Sequence, residues 1–244
     1  IYTNPRIGSV EAFDQRKMEK NPVLRENLRV STGLMRGFRM GLLPAHQVFD
    51  VDLMSRYIAL NEVWGTPHAL AWSNMRFFYN PLNGKLEPIA FDINADEALN
   101  EQKLVAPDSS FINLILKDPV MREHYVSEVH RIAQEIQSPK VLKHLQDLDA
   151  QQRHILLREF PLLTNYNFEG LLSRARNLSG LTVDNLDSYR QYPFPLPGPH
   201  DYPRILHAFI EQRGHEYFLE LMNVLDTPVV VSDIKIRPKR GTDN

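Results

Sequence analysis

The chain has 244 residues, of which 43% are hydrophobic and 24% charged, and its net charge is −2. These are values of an ordinary globular protein with room for a sizeable core, and they offer no electrostatic case for binding nucleic acid. No cysteine is present, which excludes a disulfide scaffold, thiol catalysis and cysteine-ligated zinc, and no apolar run is long enough to span a membrane.

After an irregular lead over residues 1–8, the pattern predicts helices over 10–20 and 22–40. Pro22 suits a first turn after Asn21, and Gly41 ends the second helix. Leu24, Leu28, Leu34, Met35 and Phe38 give that helix an apolar stripe, while Arg25/Arg29 and Arg36/Arg39 read as a solvated face. A further helix opens at Asp50, an N-cap residue, with Leu53, Tyr57, Ile58, Leu60 and Trp64 at helical spacing. A polar loop then leads to a hairpin. Residues 74–79 are aromatic-rich and favour a pleated strand, Pro81-Leu82-Asn83-Gly84 is turn chemistry, and 85–91 returns. Pro88 restricts the return strand to an edge or a bulge. The fold places Asn74 at the start of one strand and Asp92 at the end of the other. An Asn and an Asp brought together by a hairpin are oxygen donors suited to Mg²⁺ with bound phosphate.

Residues 94–108 read as a loop with a short helical piece, and helices dominate again from Ser110. Pro119 opens a helix to Gln137, Ser138-Pro139 the next to about Phe160, and Thr164 or Asn167 another to about Ser179. Residues 192–203 hold five prolines and read as an extended strap. A last helix is expected over 207–225, then an alternating strand over 229–236 and a basic tail over 237–240.

The order Asp-Val-Asp, helix, Asn-Glu-x-x-Gly, loop with His, Asn before an aromatic strand, Asn-Gly turn, Glu-Pro-Ile-x-x-Asp resembles the CotH kinase family, atypical protein kinases named for a bacterial spore coat protein. The motif-rich part covers roughly residues 10–100. The resemblance implies a kinase-like C-lobe, ATP with Mg²⁺ or Mn²⁺, and phosphoryl transfer to protein Ser/Thr hydroxyls. By position Asn74 corresponds to the catalytic-loop Asn and Asp92 to the metal-binding Asp. Residues 94–108 would then stand where a kinase has its activation segment.

The chain departs from the family pattern in two respects. The stretch Thr66-Pro67-His68-Ala69-Leu70-Ala71-Trp72-Ser73, where the catalytic Asp is expected, holds no carboxylate, and His68 is its one residue able to accept a proton near neutral pH. The tryptophan-aspartate pair before the second metal ligand is Phe91-Asp92, and Asn94 and Asp96 follow in a D-x-N-x-D run. That run lacks the Gly and Glu of an EF-hand at the required offsets. The candidate set is therefore His68 as the catalytic residue, Asn74 and Asp92 for the nucleotide, and Asn74, Asp92 and Asp96 for the metal.

There is no Gly-rich phosphate loop, and Ile1 is not an initiator Met, so the chain reads as a fragment whose nucleotide-covering half would lie upstream. The fold class expected is mainly α with a small β-hairpin, organised as a core over 1–108, a helical part of the same domain over 109–190, a strap and terminal helix over 191–226, and a strand and tail over 227–244 that opens a further domain. Expected partners are a protein substrate or an assembly partner, and no nucleic acid. The absence of cysteine fits a bacterial extracytoplasmic or cell-surface setting. The alternative to an active kinase is an inactive kinase-like scaffold that binds a partner in cell-surface or coat assembly. Other constellations are weaker: His124 and His130 stand outside any H-E-x-x-H motif, and Ser127 lacks a nucleophile-elbow context.

Overall fold

A computed structural model describes residues 10–93, 110–186, 206–213, 216–223 and 230. The chain divides into two compact units, Ile1–Tyr202 and Pro203–Asn244. Among the described residues no helix is long and apolar enough to cross a membrane.

In the first unit, helix α1 spans Gln15–Lys20 and α2 spans Pro22–Arg39. The first is shorter than its sequence pattern because Asp14 caps it, accepting from the Lys17 amide at 3.1 Å. Asn21 caps α2 through the Val23 and Leu24 amides, and Gly41, with φ 75°, turns the chain away at its end. A short helix α3, Ala45–Val48, leads to α4, Val51–Trp64. Asp50 caps α4 by accepting from Leu53 at 2.9 Å, and Gly65 closes it at φ 67°, a left-handed position where a Cβ would be strained.

A helical turn, α5 (Pro67–Leu70), and a 3-10 turn, Trp72–Asn74, then deliver the hairpin β1 (Arg76–Asn80) and β2 (Lys85–Ile89). The strands are antiparallel, with Phe77 opposite Pro88 and Tyr79 opposite Leu86. Asn74 thus precedes the strand instead of starting it, and Asp92 lies three residues past the end of β2. Gly84 supplies the positive φ of the turn, and Asn80 and Asn83 accept the Leu82 and Lys85 amides.

Three contacts tie the hairpin to the helices. The Asp50 amide donates to the Leu86 carbonyl at 3.0 Å, beside a parallel bridge between Phe49 and Leu86. The Lys85 ammonium donates to the carbonyls of His46 and Gln47 at the end of α3, at 2.9 and 2.7 Å. Phe111, on α6 (Ser110–Ile115), is fully buried at the centre of an aromatic cluster, within 4.7–6.0 Å of the rings of Phe38, Phe49, Trp72 and Phe77.

Helices α7 (Pro119–Gln137), α8 (Pro139–Leu156) and α9 (Phe168–Leu178) complete the unit. α7 is the central packing element, since α4, α8 and α9 all pack on it. Its Met121, Tyr125, Val129, Ile132 and Ile136 recur every three or four residues and are buried. α8 ends at Leu156, a turn short of its sequence pattern, and Asn167 is the residue that caps α9.

Two sequence expectations are corrected. The helix expected over 207–225 is instead an antiparallel pair, β3 (Leu206–Arg213) and β4 (Glu216–Asn223). Leucine, glutamate and methionine favour helix in isolation, yet the register sets Ala208 against Leu221, Ile210 against Leu219 and Arg213 against Glu216. Such cross-strand pairs outweigh a weak intrinsic preference. The second correction concerns the expected solvated arginine face of α2. Arg25 and Arg29 are exposed, but Arg36 and Arg39 are buried. The segments expected at 94–108 and 192–203, the tail over 237–240, and all of the strand expected over 229–236 except Val230 lie outside the described residues. The described chain is mainly helical with small antiparallel pairs, the fold class expected.

Candidate functional site

The turn that carries His68 is held from beneath by α4. The Tyr57 hydroxyl donates to the Ala69 carbonyl at 2.9 Å, and burial pushes that phenol up to about 12, so it stays a donor across the ordinary pH range. The Asn61 amide donates to the Tyr57 carbonyl at 2.8 Å, and the buried Thr66 hydroxyl donates to the Asn61 side chain. Glu62, next to Asn61, is fully buried and paired with the equally buried Arg174 of α9 at 2.8 Å, and Arg174 also donates to the Glu62 backbone carbonyl at 2.6 Å. Asn61, Glu62 and Gly65 are the named residues of the Asn-Glu-x-x-Gly element. All three do structural work here: Glu62 ties the end of α4 to α9, while Asn61, through Thr66, and Gly65, at φ 67°, set the direction in which the chain leaves toward His68.

On this base three candidate residues converge. His68 Nε2 lies 2.9 Å from Asp92 Oδ2, and the Asn74 side-chain amide donates to the His68 carbonyl at 3.0 Å. His68 therefore touches both proposed ligand residues, one through its ring and one through its backbone. The imidazole and the carboxylate are each about half exposed, at 46% and 49%, so the pair is open to a ligand. Asp92 has φ 53° and is the one non-glycine residue at positive φ among those described. Aspartate tolerates that region better than most residues, yet the conformation still has a cost and is held by its surroundings. Arg76 contributes to the holding. It donates to the Ser73 and Met75 carbonyls at 2.8 and 3.0 Å, and its guanidinium stacks 4.7 Å over the Phe91 ring, next to Asp92.

The donor set suits a hard cation in kind. Asn74 and Asp92 offer side-chain oxygens, and Mg²⁺ commonly takes one or two such ligands, keeping waters and phosphate oxygens for the rest. Asp96 and Asn94 lie outside the described residues, and among the described residues no group of three His, Asp or Glu side chains is placed to hold a metal. Arg76, Tyr57 and the Glu62–Arg174 pair are the supporting residues that sequence reading missed; the Asn-Glu-x-x-Gly spacing was the one signal pointing toward them. No family model, no curated protein and no solved structure matches the chain.

Proposed function

We propose that this chain carries the catalytic-loop and metal-site portion of a CotH-like protein kinase that transfers phosphate from ATP to protein Ser/Thr hydroxyls. The reading is supported above all by the meeting of His68, Asn74 and Asp92, which the sequence separates by up to 24 residues and which the hairpin and the turn before it bring within hydrogen-bond reach. Asn74 and Asp92 would hold Mg²⁺ or Mn²⁺, with Asp96 as a further ligand. When bound, the metal nucleotide supplies the phosphoryl group and neutralises its charge. His68, with Nε2–H donated to Asp92, keeps Nδ1 as the nitrogen that accepts the proton of the attacking hydroxyl. Arg76 and the buried α4 network keep the loop in place before any ligand arrives, which reduces the ordering cost of binding.

A second reading, a non-catalytic kinase-like scaffold that binds an assembly partner, is favoured by one observation: no carboxylate stands between Thr66 and Ser73. Calorimetric titration with Mn²⁺ and ATP, of the native chain beside Asp92→Asn, tests the proposal. Saturable binding weakened at least tenfold by the substitution is the expected result. Binding that ignores the substitution overturns it, as does the absence of binding both in this chain and in the full-length protein that supplies the nucleotide-covering half.

A further inference from the structure

Arg36 and Arg39 stand three residues apart near the end of α2, so their side chains emerge on neighbouring parts of one face. They are only 6% and 8% exposed. Among the described residues, Nε and Nη2 of Arg36 and Nε of Arg39 have no hydrogen-bond partner and neither guanidinium meets a carboxylate. The outer arginines of the same helix behave as surface residues should: Arg25 is exposed, and Arg29 pairs with Glu26 at 2.7 Å. Arg39 instead lies over the Trp72 indole at 5.2 Å, and Trp72 begins the 3-10 turn that ends in Asn74.

Two like charges buried side by side without an anion are unfavourable. Burial and the Arg36 charge pull Arg39 down to about 10, which still leaves it protonated at neutral pH. Deprotonation therefore does not relieve the strain, and an anion would. Guanidinium forks present several N–H groups in a plane and match the multiple oxygens of a phosphoryl group better than a single carboxylate.

We propose that Arg36 and Arg39, with Trp72 beneath Arg39, form a binding site for a phosphoryl group. The site stands on these side chains alone and does not depend on the kinase reading.

The test is thermal unfolding of the full 244-residue chain with sodium phosphate, with metal-free ATP, and with sodium glutamate, at one ionic strength held by sodium chloride. Phosphate or ATP in hundredfold excess over its Kd is expected to raise the midpoint by roughly 5–10 °C, and glutamate to leave it unmoved. A shift with phosphate alone assigns the site to the free anion, a shift with both to the phosphoryl group in either form, and a shift with ATP alone to nucleotides. Arg36→Met and Arg39→Met are expected to abolish the shift while leaving the ligand-free midpoint equal or higher, because an apolar side chain replaces an unpaired buried charge. Arg25→Met keeps the shift. A purely structural pair would do the reverse, lowering the ligand-free midpoint and leaving any shift intact. Should the Met variants fail to fold, calorimetric titration of the native chain with phosphate and with ATP decides alone. No binding there, an equal response to glutamate, or a shift that survives both substitutions overturns the proposal.

Discussion

Glu62 and Arg174 are both fully buried, and each is the other's counter-charge. Removing one partner leaves the other charge uncompensated in the interior, a loss of about 3–5 kcal/mol, whereas replacing both with apolar side chains of similar volume is far milder. Urea unfolding of Arg174→Met, Glu62→Leu and the double variant is expected to show that asymmetry. Equal losses in all three would mean that packing at the α4–α9 contact, and not the charge pair, carries the stability. The sequence made Glu62 visible as a letter of a motif, but nothing local marked Arg174, because its partner lies 112 positions away. His68, Asn74 and Asp92 were legible as residue types in a plausible order. The hydrogen bonds that join them, and the positive φ of Asp92, exist only once the hairpin has folded back.

At the scale of elements, capping residues were the most readable signals. Asp50 and Gly41 lie where local chemistry demands them, and of Thr164 and Asn167 it is Asn167 that caps α9. Asp118 does more than cap. It accepts from the Val120 amide at the start of α7 and from the backbone and ring of His46 on α3, at 2.8 and 2.7 Å. Burial pushes its carboxyl up, but the hydrogen bonds from His46 and Val120 outweigh this and hold it below the usual carboxylate range. Because the folded pKa lies below the unfolded one, the stabilisation is complete above the unfolded value near 4 and is lost as pH falls through the folded value. Asp118→Ala is expected to lose on the order of 1–2 kcal/mol at pH 7, with the gap from the native chain closing below about pH 4 in urea unfolding curves. A gap independent of pH would place the effect in packing. The arginines of α2 show where element-scale reading fails. The period of 3.6 indicates which residues share a face, but not which part of that face another helix and Trp72 will cover.

At the scale of the whole molecule, the buried hydrophobic residues of the core, among the described residues, run from Met35 to Leu186, within the first unit. A chain ending at Tyr202 is therefore expected to keep a cooperative unfolding transition by circular dichroism. An isolated peptide of residues 206–223 is expected to show none, since a lone two-stranded hairpin is marginal in water. Loss of cooperativity in the shortened chain would show that the core needs the second unit. That second unit is also where the sequence misled most, since its leucines and glutamates favour helix in isolation and cross-strand pairing overrides that preference.

By itself the sequence determined the elements whose signals are local: capped helices with apolar stripes, the Asn-Gly turn, and an α-rich fold with a small hairpin. Tertiary structure alone decided what depends on distant partners. It joined His68 to Asp92, buried Glu62 against Arg174, and enclosed Arg36 and Arg39 with no acid to pair them among the described residues. Caps and periodicity act over three or four residues, so they can be read along the chain. Burial and charge compensation act across space, between residues whose separation in sequence carries no information about their distance.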